Sequence, residues 1–243
     1  MKTTQISAHA WQLTRLGLFN CYLVRESDGF TLIDTCLSKS GEAILDAARH
    51  CESAGGGEIN RILLTHAHGD HIGSLDELVH LLGQVDVAIS EREAPLLPPK
   101  PRQNREIFLD EPPCAVKGSF PGATTRPTHL VTDGELFGSL RCIASPGHTP
   151  GHFSFLDERD GTLYTGDAMV TVGGSPHVVG WSPWYWPLPN FGTWHRPTAR
   201  ASVERVLNAM SREAPARRLA PGHGRVLEGD GELLRQALRE TTV

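Results

Sequence analysis

The residues best suited to chemistry are gathered in His66-Ala67-His68-Gly69-Asp70-His71, where three imidazoles and one carboxylate fall within six positions. Three further fragments repeat the theme at wide spacing: Ser145-Pro146-Gly147-His148, Thr165-Gly166-Asp167 and Ala220-Pro221-Gly222-His223. Imidazole nitrogen and carboxylate oxygen, with no thiolate among them, suit Zn²⁺, with Mn²⁺ or Fe as alternatives. One ion needs three or four ligands and a second bridged to it needs a similar number. Five histidines, two aspartates and a shared water therefore suit a pair of ions. Such a pair lowers the pKa of the shared water and supplies a hydroxide for hydrolysis. Taken singly, a His after Pro-Gly is more often a turn residue than a ligand and an Asp after Thr-Gly is usually a cap or turn; it is the seven together that point to metal.

Each fragment follows a strand-like run, which puts its side chains at a rigid strand end. Arg61 to Leu64 delivers the first cluster, and Leu75 to Leu82 carries the chain away as a helix. Trp11 to Leu16, Asn20 to Arg25 and Phe30 to Asp34 read as an antiparallel meander, with Ser27-Asp28-Gly29 as a hairpin turn. Ala43, Ile44, Ala47, Ala48 and Cys51 recur at helical spacing; Ser40 is placed to cap that helix and Gly55-Gly56-Gly57 to end it. Val85 to Ile89 is the next strand and completes a βαβ unit. The proline-rich stretch Glu91 to Pro127 predicts an irregular insertion, a lid or a long connection. Four strand-like runs, His129 to Val131, Leu140 to Ala144, His152 to Leu156 and Thr162 to Thr165, then predict a second sheet. Helices are expected from Ala199 to Met210 and from Gly231 to Glu240, with a short strand Arg218 to Ala220 between them.

The bulk properties exclude several classes. The 243 residues carry 39% hydrophobic and 21% charged residues and a net charge of -5, without a basic footprint, so nucleic acid is not a favoured partner. No low-complexity linker interrupts the chain, which predicts a single domain over residues 1–243. Met1 to Ser7 lacks the apolar core of a signal peptide, and no stretch is apolar enough to span a bilayer, so a cytoplasmic protein with no membrane partner is expected. Five scattered cysteines predict reduced, mostly buried thiols.

The four fragments, in this order, resemble the motifs of the metallo-β-lactamase fold superfamily: His-x-His-x-Asp-His, then a His, an Asp and a His at later strand ends. The resemblance implies an α/β four-layer αββα sandwich. It further implies that His66, His68 and His148 hold one metal, that Asp70, His71 and His223 hold the other, and that Asp167 bridges them. Asp34 matches a family position that hydrogen-bonds a ligand histidine. The implied activity is that of a dinuclear, two-zinc hydrolase in which a metal-bridging hydroxide attacks the carbonyl of an ester, lactone or thioester in a small-molecule substrate, with Asp70 as the catalytic proton carrier. The alternatives on this fold are a phosphodiesterase or nuclease and a β-lactamase, although β-lactam-hydrolysing members usually carry Cys or Ser where this chain has Asp167. An iron-dependent oxidoreductase is the alternative from another class. The segment Trp181 to Trp194 reads either as a packed surface loop, or as a substrate wall with His177, Trp184, Trp186 and His195 as contacts, or as a contact between the copies of a homodimer. The remaining histidines, His9, His50, His80, His129, His152, His177 and His195, fit no ligand position.

Overall fold

A computed structural model describes residues 1–52, 57–99, 110–210 and 216–241. The chain divides into two compact units, Met1–Pro101 with Phe120–Val131, and Arg102–Ser119 with Thr132–Val243.

The first unit is built on a seven-stranded sheet ordered β1 (Lys2–Gln5), β2 (Ala10–Arg15), β3 (Phe19–Arg25), β4 (Phe30–Ile33), β5 (Ile59–Leu63), β6 (Asp86–Ser90) and β7 (His129–Val131). The expected meander is present, preceded by the fully exposed β1, whose polar Lys-Thr-Thr-Gln sequence carries no burial signal. From β4 onward the strands run parallel, so β4 and β5 end at the same edge of the sheet. The His129–Val131 strand, expected in the second sheet, belongs to this one. Thr128 donates its amide to Val87 O at 2.8 Å and accepts the Val87 amide on Oγ1 at 3.0 Å, which locks the returning chain beside β6.

Helix α1 (Gly41–Glu52) buries Ile44, Ala47, Ala48 and Cys51 of the stripe its spacing predicts, with Ala43 half-buried at its margin. Burial of an Ile side chain alone is worth about 1.5–3 kcal/mol. Ser40 does not cap α1 with its hydroxyl, which donates to Leu37 O at 2.6 Å. Glu77 instead accepts the Gly41 amide at 3.0 Å, a long-range contact that the local sequence does not reveal. Gly55 and Gly56, expected to end α1, lie outside the described residues. A four-residue helix α2 (Gly69–Ile72) and the longer α3 (Leu75–Leu82) follow β5. The proline-rich insertion is packed at both described ends. Leu96 and Leu97 are buried, the Ala123 amide bonds to Leu97 O at 2.5 Å, and Asp76 of α3 accepts four hydrogen bonds from the amides and hydroxyls of Thr124 and Thr125. Its residues 100–109 lie outside the described residues.

The second unit is built on a six-stranded sheet. Its order is β15 (Leu227–Glu228), β14 (Arg218–Pro221), β11 (Thr162–Gly166), β10 (Phe153–Asp157), β9 (Leu140–Ala144) and β8 (Leu136–Phe137), with β11 and β14 parallel. A small ribbon pairs β12 (Met169–Val170) with β13 (His177–Val178). A five-residue α4 (Leu188–Gly192) precedes α5 (Arg196–Met210), and α6 (Gly231–Arg239) closes the unit. Asp230 caps α6 by accepting the Glu232 amide at 2.8 Å. Leu156 and Leu163 of the sheet pack with Val203 and Val206 of α5 and Leu234 and Ala237 of α6 in one apolar cluster. All five cysteines are free, and all but Cys114 are buried, as expected. Among the described residues no helix is long and apolar enough to cross a membrane.

Candidate metal centre

In the first unit the parallel ends of β4 and β5 set the donors. Asp34 lies just past β4 at φ 58°, a left-handed conformation that Asp tolerates better than most residues, and this turns its carboxylate toward the neighbouring strand end. It accepts the Thr65 amide on Oδ1 and the Thr65 hydroxyl on Oδ2, both at 2.8 Å, and lies 2.7 Å from His71 Nδ1 through the same Oδ2. A carboxylate only accepts, so the His71 proton sits on Nδ1 and Nε2 carries the lone pair. Thr65 spends its single proton on Asp34 and must accept from His66 Nδ1 at 2.9 Å, which places the His66 lone pair on Nε2 as well. Thr35 grips His71 from the backbone side, donating both its amide and its hydroxyl to His71 O at 2.6 and 2.9 Å.

His66 Nε2 lies 3.1 Å from His68 Nδ1, and Asp70 Oδ2 lies 4.0 Å from His71 Nε2. His66, His68 and His71 are buried, whereas the Asp70 side chain keeps 28% of its surface exposed. Two groups absent from the expected set complete this half. Glu93, fully buried, accepts the Ala67 amide at 3.0 Å and pins the loop between His66 and His68. Phe120, from the proline-rich insertion, sets its ring 4.7 Å from that of His68, so the insertion covers one of the candidate ligands.

In the second unit three strand ends meet. His148 sits in the turn between β9 and β10, Asp167 follows β11 and His223 follows β14. Gly147 takes φ 142° and lies so close to α5 that a β-carbon would fall 2.2 Å from Ala199 Cα, which accounts for glycine before the histidine. The turn is stapled to the start of α5: Trp194 and His195 donate their amides to His148 O and Gly147 O, each at 2.9 Å. Gly222 N donates to Gly166 O at 2.8 Å and joins the turns that carry His223 and Asp167. Thr193 spends its hydroxyl proton on Pro189 O at 2.6 Å and so accepts from His148 Nδ1 at 3.4 Å, again leaving the lone pair on Nε2. Asp167 Oδ2 lies 3.4 Å from His148 Nε2 and 3.2 Å from His223 Nε2, with all three side chains buried.

These spacings fit metal ligation. Ligands on a tetrahedral ion with bonds of about 2.0–2.1 Å stand about 3.3 Å apart. The 3.1, 3.2 and 3.4 Å separations of donor atoms within the two units are of that size.

The four residues expected to contact substrate are placed differently from one another. Trp186 has its ring 6.4 Å from that of His223, whereas Trp184 is 88% exposed. His177 pairs with Glu240 at 2.8 Å, and His195 serves the start of α5 through Thr198 at 2.7 Å. His152, which fits no ligand position, is fully buried and accepts the Asp167 amide on Nε2 at 3.0 Å. Its signal in the sequence is the second Pro-Gly-His of the same fragment.

Comparisons with known proteins bear on the family and the fold. The model of the metallo-β-lactamase superfamily matches residues 15–223. The Bacillus subtilis (strain 168) protein YobT is 42% identical over 99% of this chain and 98% of its own. The probable metallo-hydrolase YflN of the same organism is 30% identical over 63% of this chain and 61% of its own. An atrochrysone carboxyl ACP thioesterase of Pseudocercospora fijiensis (strain CIRAD86) is 24% identical, over 64% of this chain and 38% of its own. Among solved structures, the B3 metallo-β-lactamase BLEG-1 matches 95% of this chain and 96% of its own at 20% identity and TM-score 0.66, which shows the shared fold. The di-iron-bound form of TTHA1623 matches 93% of this chain and 96% of its own at 26% identity and TM-score 0.60. The chain, mixed α/β with multiple sheets and with His and Asp donors at the strand ends of each unit, belongs to the metallo-β-lactamase superfamily of metallo-hydrolases.

Proposed function

We propose that the chain is a dinuclear metallo-hydrolase acting on an ester, lactone or thioester carbonyl of a small molecule. In this reading His66, His68 and His148 would hold one ion, Asp70, His71 and His223 would hold the other, and Asp167 would be shared between them. The observation that carries it is the position of Asp167, whose single oxygen Oδ2 borders a nitrogen assigned to each ion, at 3.4 Å from His148 and 3.2 Å from His223. The nitrogen and oxygen donors suit two Zn²⁺, and the same set would accept Mn²⁺ or Fe.

When bound, such ions supply Lewis acidity and activate water near neutral pH. The protein's own residues prepare for that chemistry. Asp34 and Thr65 hold the protons of His71 and His66 on Nδ1, away from the metal-facing nitrogens. Asp70, more exposed than the buried donors around it, is the group to take a proton on its carboxylate and return it to the leaving group. Trp186 beside His223 offers an apolar face to the acyl portion of the substrate.

An acyl substrate is preferred over a β-lactam because Asp167 occupies the position at which β-lactam-hydrolysing members usually carry Cys or Ser. The thioesterase among the relatives supports the same choice. The test is metal content by mass spectrometry, followed by assay of the zinc-loaded protein against lactones, thioesters, β-lactams and phosphodiesters. Two metals per chain and turnover of an acyl substrate, lost in His68→Ala and Asp70→Ala, are expected. One iron per chain with oxygen consumption, or turnover confined to phosphodiesters, would overturn the proposal.

A further inference from the structure

We infer that His152 is a positioning residue for Asp167, an inference that rests on the reading of Asp167 as the bridging ligand. The β10–β11 pairing runs from Asp157↔Thr162 to Phe155↔Tyr164, and the register of β11 against β14 shifts between Tyr164 and Gly166. Gly166 then turns at φ 47°. The Asp167 amide therefore emerges beyond the strand ladder, and it donates to His152 Nε2 at 3.0 Å.

A backbone N–H can only donate, so Nε2 carries the lone pair and the His152 proton sits on Nδ1. That proton goes to Ser145 Oγ at 2.9 Å. The Ser145 hydroxyl is thereby directed to Ser154 Oγ at 2.8 Å, and Ser154 donates to Thr165 O at 3.5 Å. Every donor points the same way, from Asp167 N–H through one imidazole and two hydroxyls to the carbonyl two residues before Asp167. The loop ties the end of β9, the start of β10 and the end of β11 together with neutral groups that are buried throughout. The His152 ring also stands edge-on to that of His148, with centroids 6.4 Å apart. One side chain thus sets the backbone of Asp167 and abuts the ring of His148, a ligand from the neighbouring strand end.

The test compares His152→Gln, whose amide can accept from Asp167 and donate to Ser145, with His152→Leu, which can do neither. Zinc affinity is read on chelator-stripped protein by competition with a chromophoric chelator, alongside thermal unfolding of the metal-free form. His152→Leu should bind at least one of the two ions about ten- to a hundredfold more weakly, the range expected when the support of a ligand is removed, while His152→Gln stays within about threefold of wild type. A His152→Leu protein that binds both ions with wild-type affinity, whatever its melting temperature, would overturn the inference, as would a His152→Gln protein as weak as His152→Leu. Should His152→Leu fail to fold, long-range ¹H–¹⁵N spectra of the stripped wild type decide: an Nδ1–H tautomer at His152 supports the positioning role and an Nε2–H tautomer sinks it. Asp167→Ala separates the two levels. Unchanged zinc binding in that variant overturns the ligand reading and the inference with it, whereas loss there with none in His152→Leu overturns the inference alone.

Discussion

Asp34→Asn is the sharpest perturbation of the proposed centre, because it preserves size and backbone tolerance while reversing the direction of protons. Oδ1 must remain an acceptor for the Thr65 amide, so the new amide nitrogen takes the place of Oδ2. There it donates to the Thr65 hydroxyl and to His71 Nδ1, the two groups that now donate to it. Thr65 is then free to donate to His66 Nδ1, and both histidines move their proton to Nε2, the nitrogen the metal requires. In the metal-free protein the neutral hydrogen bonds reform, so stability should change by only about 0.5–1.5 kcal/mol. Metal binding must push both protons back and forfeit at least one hydrogen bond to a charged carboxylate. That costs about 1.5–3 kcal/mol, or about ten- to a hundredfold in affinity. Asp34→Ala is the contrast: it leaves three buried donors without their acceptor and places an alanine at φ 58°, for an expected stability loss of about 3–5 kcal/mol. Zinc titration against a chelator and urea unfolding of stripped protein measure the two quantities separately. Wild-type zinc affinity in Asp34→Asn would refute the argument from proton direction, and a loss of stability as large as the loss of binding would reduce Asp34 to a structural role.

Gly147→Ala should lose about 1–3 kcal/mol or more, because its β-carbon would meet Ala199 Cα at 2.2 Å, whereas Gly134→Ala, also at positive φ but with nothing within 4 Å, should lose about 1 kcal/mol; equal melting temperatures would contradict this. Glu93→Ala removes the acceptor of the buried Ala67 amide and should cost about 1–3 kcal/mol by urea unfolding, while Glu93→Gln keeps an acceptor oxygen and should cost less; the reverse order would be inconsistent with the contact. Burial works to raise the Asp76 pKa, but the hydrogen bonds from Thr124 and Thr125 outweigh it and hold the carboxyl below its usual range. A depressed pKa means the clasp is at full strength above about pH 4 and is lost as pH falls through the folded value. Hydrogen exchange at Thr124 and Thr125, corrected for intrinsic rates, should accelerate there and not at higher pH. Trp186→Ala should raise KM for apolar acyl substrates more than Trp184→Ala does, since only Trp186 stands beside His223. Unchanged kinetics in both, with altered gel-filtration behaviour, would make the segment a contact between chains.

Residue types and their spacing carried a good part of this architecture: the amphipathic stripe of α1, the βαβ unit around α3, and strand runs that end at each proposed ligand. What they missed shares a physical cause. The exposed β1 has no apolar alternation, because a polar edge strand is held by backbone pairing alone. The strand His129–Val131 is too short to declare its sheet, which is decided by Thr128 and Val87. Glu77 serves the start of α1 from 36 residues away, where no local cap signal can find it. At the candidate centre the donors are legible as types, but a histidine has two nitrogens and the sequence does not say which faces the metal. That choice is made by oxygens whose own protons are already committed: Asp34 has none, Thr65 gives its proton to Asp34, and Thr193 gives its to Pro189. Each therefore accepts from Nδ1 of His71, His66 or His148 and turns Nε2 outward. His152 obeys the same logic in reverse, since a backbone amide claims its Nε2 and excludes it from the ligand set. In the proposed centre two Pro-Gly-His sequences four residues apart would thus part ways, one toward metal and one toward support, because a backbone N–H that only the folded chain supplies claims the second imidazole.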